Sequence, residues 1–199
     1  MGISTKTEFF KEETVQVSKN KKDDVLWSEI KKGNKEALAD LFSQYYNYLF
    51  YYAFKIVSNE EFVKDCIQEL FFTIWNRKEN INQAYSVNSY LLSSLRRIVF
   101  RKLNKQRKNY ERNKEYIENH SHEVFNTEQV IINFETKNET RHQLRLAFNN
   151  LRGRRKEVIY LKFYNGLSNS EIAKVMGIEK QSVYNYVSCA IQQLQAYVR

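Results

Sequence analysis

No proline interrupts the 199 residues of this chain, and only five glycines do. These two residues break helices, proline by removing a hydrogen bond and glycine by its backbone freedom. A chain nearly free of both, whose apolar residues recur three and four apart, is built from helices. The expected fold class is all-α. Residues 1–23 stand outside that pattern. They are polar and mixed in charge, with Lys11-Glu12-Glu13 and Lys21-Lys22-Asp23-Asp24, and read as a flexible N-terminal tail.

The stripes place the helices. Val25, Leu26, Trp27 and Ile30 mark a short one ended by Gly33. Leu38, Leu41, Phe42, Tyr45, Leu49, Tyr52, Ala53 and Ile56 mark a long one ending near Val57. Ser58-Asn59 breaks and caps, and Glu60 and Glu61 suit the positive N-terminal end of the next helix. That third helix carries Val63, Cys66, Ile67, Leu70, Phe71 and Ile74 to about Asn76. Arg77 to Val87 has no period and reads as a loop. A fourth helix opens near Asn88 and runs through Tyr90, Leu91, Leu92, Leu95, Ile98, Val99 and Leu103. The pattern fades from Lys105 to about Asn138, where charged and amide side chains dominate, and the expected linker spans 109–138. The block 139–199 gives four more helices. One passes through Leu144, Leu146 and Phe148, one through Val158, Ile159, Leu161 and Phe163 to Asn165-Gly166, and two form the pair described next.

That pair reads as a helix-turn-helix, the unit that lays its second helix in the major groove of DNA. Ser168 with Glu171 three residues on forms a capping box that starts the first helix. Ala173 is small where two helices cross closely. Gly177 stands where the chain leaves a helix through a left-handed conformation costly to other residues. Ile172, Ile178, Val183 and Val187 supply the apolar contacts that lock the pair. A plain helical hairpin is the competing reading.

Charge points the same way. The net charge is +9, which favours a polyanionic partner, nucleic acid before an acidic membrane surface. From Arg96 to Lys114 nine Lys/Arg face a single acid, Glu111, and a second cluster holds Arg141, Arg145, Arg152, Arg154, Arg155 and Lys156. Cys66 and Cys189 fall in helical patterns far apart and suit reduced, partly buried thiols. No run approaches the ~18 apolar residues of a membrane span and no signal peptide opens the chain. A cytoplasmic protein without direct membrane insertion is expected. His120, His122 and His142 form no convincing metal site, and no phosphate loop or Ser/His/Asp arrangement stands out. Neither catalytic residues, a metal, a cofactor nor a small-molecule substrate is expected, and the chain does not read as an enzyme.

Two helix faces carry the remaining information. On the third helix Asp65, Gln68, Glu69 and Phe72 lie three or four residues apart, opposite the apolar stripe. An acidic, amide-bearing face with a large aromatic suits docking of a basic partner protein, Phe72 being the anchor. A solvated face with one stray Phe fits the same spacing. On the fourth helix Arg96, Arg97, Arg101 and Lys102 suit phosphate contacts, or an anionic membrane surface. The loop before it holds Asn80, Asn82, Gln83 and Tyr85, amides and an aromatic able to hold an unstacked base.

Together these pieces resemble a bacterial RNA polymerase sigma factor of the extracytoplasmic-function group. Asp65-Cys66-Ile67-Gln68-Glu69-Leu70-Phe71-Phe72 is similar to the D-x-x-Q-E-x-F signature of the sigma-2 domain. Leu38 to Lys108 and Arg141 to Val198 look like sigma-2 and sigma-4 in the family's order. Asn88-Ser89-Tyr90-Leu91 is closest to the iron-citrate-type, Bacteroidetes branch. The helix-turn-helix taken alone also fits a stand-alone LuxR-like transcription regulator.

The resemblance implies a sigma-2-like domain over 24–108 and a sigma-4-like domain over 139–199. It implies core RNA polymerase and promoter DNA as partners, and by family habit a membrane-anchored anti-sigma factor. Asp65, Gln68, Glu69 and Phe72 would meet the clamp helices of the largest polymerase subunit. Asn80, Asn82, Gln83 and Tyr85 would capture a flipped base of the −10 element. The helix from Asn88, with Arg96, Arg97 and Arg101, would help melt that element. Glu179, Lys180, Gln181, Ser182, Tyr184, Asn185 and Ser188 would face the −35 element, with Arg154, Arg155 and Lys156 on its backbone. Tyr184, Tyr186 and Cys189 stand where family members often carry basic residues, which implies a flatter salt dependence of −35 binding. Glu179 replaces the usual cap of the second helix, an acid that suits the helix dipole.

Overall fold

The computed structural model describes residues 21–81, 86–112 and 147–197. The chain divides into two compact units, one within Lys19–Asn126 and the other within Thr127–Arg199.

The first unit holds α1 (Lys21–Lys31), α2 (Lys35–Ile56), α3 (Glu60–Asn76), a single 3-10 turn (Lys78–Asn80) and α4 (Val87–Arg112). Short capped turns join the first three. Gly33 adopts φ 89°, a left-handed conformation that only glycine reaches at low cost. Asn34 then caps α2, its side-chain oxygen accepting from the Ala37 N–H at 3.1 Å. Asn59 does the same for α3 through Phe62 N–H at 3.0 Å, with Glu60 and Glu61 in the first turn. α2 packs against α1, α3 and α4 and contributes Leu41, Tyr45, Leu49, Tyr52 and Ala53 to the core. Facing them are Trp27 and Ile30, then Val63, Cys66, Ile67, Leu70 and Ile74, then Leu91, Leu92, Leu95 and Val99. These are the stripes the spacing marks, turned inward.

Two of the expected boundaries move. Lys21 to Asp23 belong to α1 and not to a tail, since Asp23 is buried. Its carboxylate accepts from Tyr45 Oη at 2.6 Å and from Gln44 Nε2 at 2.7 Å. The remainder of the expected tail lies outside the described residues. α4 continues past 108 to Arg112, because Lys, Gln, Arg and Glu sustain a helix by propensity after the apolar stripe has faded. The rest of the expected linker also lies outside the described residues.

The second unit begins with a helical turn that buries Ala147 and Phe148. Leu144, Leu146, Arg141 and Arg145 fall outside the described residues. α5 (Gly153–Ile159), α6 (Asn169–Met176) and α7 (Lys180–Tyr197) follow, with both α5 and α6 packed on α7. The stripe Val158 to Phe163 reads as one continuous helix. Instead α5 widens into a π turn over Tyr160–Tyr164, in which Asn165 N–H reaches Tyr160 O at 3.1 Å. Tyr160 and Tyr164 stack there with ring centres 4.8 Å apart.

The helix-turn-helix forms as its sequence signals require. Ser168 Oγ accepts from Glu171 N–H at 3.3 Å and Glu171 Oε2 accepts from Ser168 N–H at 2.9 Å, closing the capping box. Gly177 takes φ 65° and ψ 40°. A Cβ there would meet nothing within 4 Å, so glycine is required by backbone conformation and not by crowding. Ile172 and Val183 are fully buried, while Ile178 and Val187 are half-buried at the edge of the pair. Replacing Ser168 by Ala removes a cap and should cost about 1 kcal/mol of stability. Chemical unfolding of the variant beside the wild type measures it.

The two thiols differ. Cys66 is buried and Cys189 exposed, which corrects the expectation that both are partly covered. Residue 189 lies on the side of α7 away from Val183 and Ala190, which have no exposed surface.

Candidate functional site

α3 divides as the spacing requires. Its inner side buries Val63, Cys66, Ile67, Leu70, Phe71 and Ile74, and its outer side presents Asp65, Gln68, Glu69 and Phe72. Phe72 is 66% exposed, the most exposed large apolar side chain among the described residues. Its neighbour Phe71 turns inward and meets Phe42 edge to face, with ring centres 4.9 Å apart. A lone exposed apolar residue is ordinary on a protein surface. Here Asp65, Gln68, Glu69 and Phe72 line one shallow groove together with Lys102 of α4. A hydrophobic anchor ringed by hydrogen-bonding and charged groups is the anatomy of a protein-docking surface.

Lys102 was not part of the sequence-predicted face, and neither was the ion network that fixes Glu69. Glu69 Oε1 accepts from Arg101 Nη2, and Oε2 lies 3.2 Å from Lys102 Nζ. Periodicity relates residues along one helix and is silent about a partner 32 residues away. Beneath this network, burial pushes the Cys66 thiol up to about 11.

α4 carries a row of exposed cations at Arg97, Arg101, Lys105 and Lys108. Arg97 folds back on its own helix, donating to Ser93 O at 3.3 Å and Ser94 Oγ at 3.4 Å. Arg96 lies half-buried, its guanidinium 4.4 Å from the centre of the Phe100 ring. Asn80 is exposed in the 3-10 turn, whereas Asn82, Gln83 and Tyr85 lie outside the described residues. Asn88 requires a correction. It is only 3% exposed, and among the described residues neither its amide nitrogen nor its oxygen has a hydrogen-bond partner. It heads the inward stripe that continues through Leu92, Leu95 and Val99, so its side chain faces the core and not a duplex.

In the second unit the outward face of α7 presents Lys180, Gln181, Tyr184, Asn185 and Ser188. Glu179 is exposed just before it, and Ser182 is half-buried. Gln181 Nε2 donates to Asn185 Oδ1 at 3.4 Å, and Lys180 Nζ sits 5.9 Å from the centre of the Tyr184 ring. On α5, Arg154 is exposed. Arg155 Nη1 donates to Gln193 Oε1 on α7 at 2.9 Å, a contact that braces the two helices. Lys156 is half-buried, and that burial lowers its pKa. The three neighbouring cations are therefore unequal: Arg154 is open to solvent, Arg155 is tied to the fold and Lys156 is partly withdrawn. What the face offers is hydrogen-bonding side chains on an exposed helix, suited to base edges, flanked by few mobile charges.

Among the described residues no group of His, Cys, Asp and Glu could hold a metal ion. No helix there is long and apolar enough to cross a membrane. His120, His122 and His142 lie outside the described residues.

The family model for sigma-70 region 2 matches residues 41–109, and that for sigma-70 region 4 matches residues 141–194. No curated protein matches the chain. Among solved structures, the chain resembles CnrH, determined in complex with the cytosolic domain of CnrY, at 20% identity and a TM-score of 0.56. That match covers 88% of this chain and 96% of CnrH. It also resembles the sigma factor RpoE of Bartonella quintana, determined with the anti-sigma factor NepR, at 18% identity and a TM-score of 0.55. Here the match covers 80% of this chain and 95% of the other. At these identities the likeness is one of fold.

Proposed function

The chain belongs to the sigma-70 family, carrying its region 2 and region 4, and from that premise we propose that it directs core RNA polymerase to promoters as an extracytoplasmic-function sigma factor. The single observation that carries the reading is the exposed Asp65, Gln68, Glu69 and Phe72 face inside the stretch matched by region 2. This face docks on a basic surface of the polymerase, Phe72 supplying the buried anchor and the acids the orientation.

The basic row of α4, with Arg96, Arg97 and Arg101, holds the backbone of the −10 element, and Asn80 borders the base-capturing loop. The outward side chains of α7, from Glu179 to Ser188, read the −35 element. Arg154 contacts its backbone, and Arg155 and Lys156 support that contact from the fold. The first domain spans 21–112 and the second 139–199, with the linker between. Melting is driven by binding: stacking an unpaired base on an aromatic contributes ~1–3 kcal/mol, so a captured strand shifts the duplex toward the open bubble without catalysis by the chain itself.

The partners are core RNA polymerase and promoter DNA, and the protein works where they are, in the cytoplasm. An anti-sigma factor is a further partner on this reading, supported by the likeness to RpoE, which was determined with the anti-sigma factor NepR bound. Its placement in the iron-citrate branch is likewise proposed, from Asn88-Ser89-Tyr90-Leu91 with the Leu-rich helix after it.

Transcription in vitro with purified core enzyme, this chain and a genomic promoter pool tests the function. Discrete start sites that require the chain are expected. If core enzyme yields the same products with and without it, and the two do not co-purify, the reading is wrong.

A further inference from the structure

Glu69 faces two demands at once. On the reading above its carboxylate docks on a basic polymerase surface, while Arg101 hydrogen-bonds DNA phosphates. Yet in the free chain both carboxylate oxygens are already occupied, Oε1 by Arg101 and Oε2 by Lys102. Asp65, one turn earlier on the same helix face, has no ion pair among the described residues. Glu69 is only partly exposed, its side chain at 31%, whereas Arg101 is at 64%. Arg101 is therefore held at the surface by a neighbour and not by burial.

We propose that Glu69 is a shared ligand that couples the two interfaces: in the free chain it withholds Arg101 and Lys102 from nucleic acid, and docking of Glu69 on the polymerase releases them to phosphate. The inference rests on the proposed function and specifies its regulation. The coupling is reciprocal by thermodynamic necessity, so occupation of Arg101 and Lys102 by phosphate must also free Glu69 for its partner. Exposed ion pairs are individually weak. The device therefore biases the order of assembly by a modest factor and does not lock it. Free sigma chains bound to DNA without polymerase would occupy promoters unproductively, and a bias of this sign works against that.

The test uses the full chain and a fluorescently labelled oligo-thymidylate single strand, because phosphate binding needs no particular sequence. E69Q should bind the strand about three- to tenfold more tightly than wild type, the increase expected from freeing one or two weakly held cations. The salt dependence should steepen, by about 0.7 in logarithmic slope for each further phosphate neutralised on a single strand. D65N removes the same charge from the same helix face without freeing a cation, and should leave affinity near wild type. In the R101Q/K102Q background, E69Q should confer no increase. In the reciprocal arm, R101Q/K102Q should bind core polymerase about threefold more tightly than wild type, again the size of effect that weakly held pairs allow.

An E69Q affinity equal to wild type overturns the inference and leaves the sigma reading standing. So does an equal increase from D65N, or an increase that survives R101Q/K102Q, since either makes the effect one of net charge. Equal or weaker polymerase binding by R101Q/K102Q overturns it as well. If no form binds the strand at all, the inference falls together with the −10 role of α4.

Discussion

Reversing the charge of both Asp65 and Glu69 to lysine should abolish assembly with core RNA polymerase, lowering affinity by at least about a hundredfold. Residues at the centre of a docking face commonly contribute ~2–4 kcal/mol when truncated. Reversal replaces an attraction by a like-charge contact and adds to that loss. Asp65 is exposed and Glu69 partly so, and neither belongs to the buried core. The helical fold is expected to survive, with a far-ultraviolet spectrum like that of the wild type. The E69K change sets a third cation beside Arg101 and Lys102, whereas D65K does not, so the single variants separate local repulsion from lost docking. F72A removes the anchor without touching charge and should weaken binding by about tenfold or more, with little change in salt dependence. Titration of labelled chain with core enzyme at two ionic strengths checks all four variants. Unchanged affinity of the doubly reversed chain would remove the basis of the polymerase-docking assignment.

The second large effect concerns stability. Asp23→Ala should destabilise the first unit by about 3 kcal/mol, well beyond a typical surface substitution. Two charge-assisted hydrogen bonds are lost, and bonds of that kind contribute about 1.5–3 kcal/mol. Tyr45 Oη, on a residue with no exposed surface, is left without its carboxylate acceptor. Burial together with the Asp23 carboxylate holds the Tyr45 phenol in its protonated, donating form. Asp23→Asn keeps an acceptor oxygen and should lose less, while Tyr45→Phe leaves the carboxylate with Gln44 alone. Urea unfolding followed by circular dichroism measures the series. A loss for Asp23→Ala no greater than about 0.5 kcal/mol would show that α1 is not latched through this residue.

That latch also marks where sequence reasoning stopped. The helices of the first unit were legible because their apolar residues repeat along each helix, and Gly33 and Asn59 announce the turns between them. The helix-turn-helix was legible for the same reason, with Ser168, Glu171 and Gly177 each carrying a local signal. Asp23 was not, because in a run of Lys21-Lys22-Asp23-Asp24 nothing local distinguishes the acid whose acceptor role is set by Tyr45 and Gln44 on another helix. The pairing of Glu69 with Arg101 and Lys102 was hidden likewise, since each residue alone reads as part of a solvated face. Asn88 misled in the opposite direction: an amide at a helix start looks like surface chemistry, but its register places it on the stripe of Leu92, Leu95 and Val99. The π turn at Tyr160–Tyr164 preserves apolar spacing closely enough that periodicity passed through it. Local pattern thus located the elements and most outward residues, while contacts between elements decided which of those residues were free to act.

The unlike settings of the two thiols have a practical consequence. Burial hides the sulfur of Cys66 and pushes its thiol up to about 11, and thiolate is the species that reacts with alkylating reagents. Cys189 is open to solvent, one helical turn beyond Asn185 on the helix proposed to read the −35 element. A maleimide dye at neutral pH should therefore attach to one sulfur only. The unmutated chain carries its own reporter position, and arrival of a promoter at that helix can be followed by fluorescence.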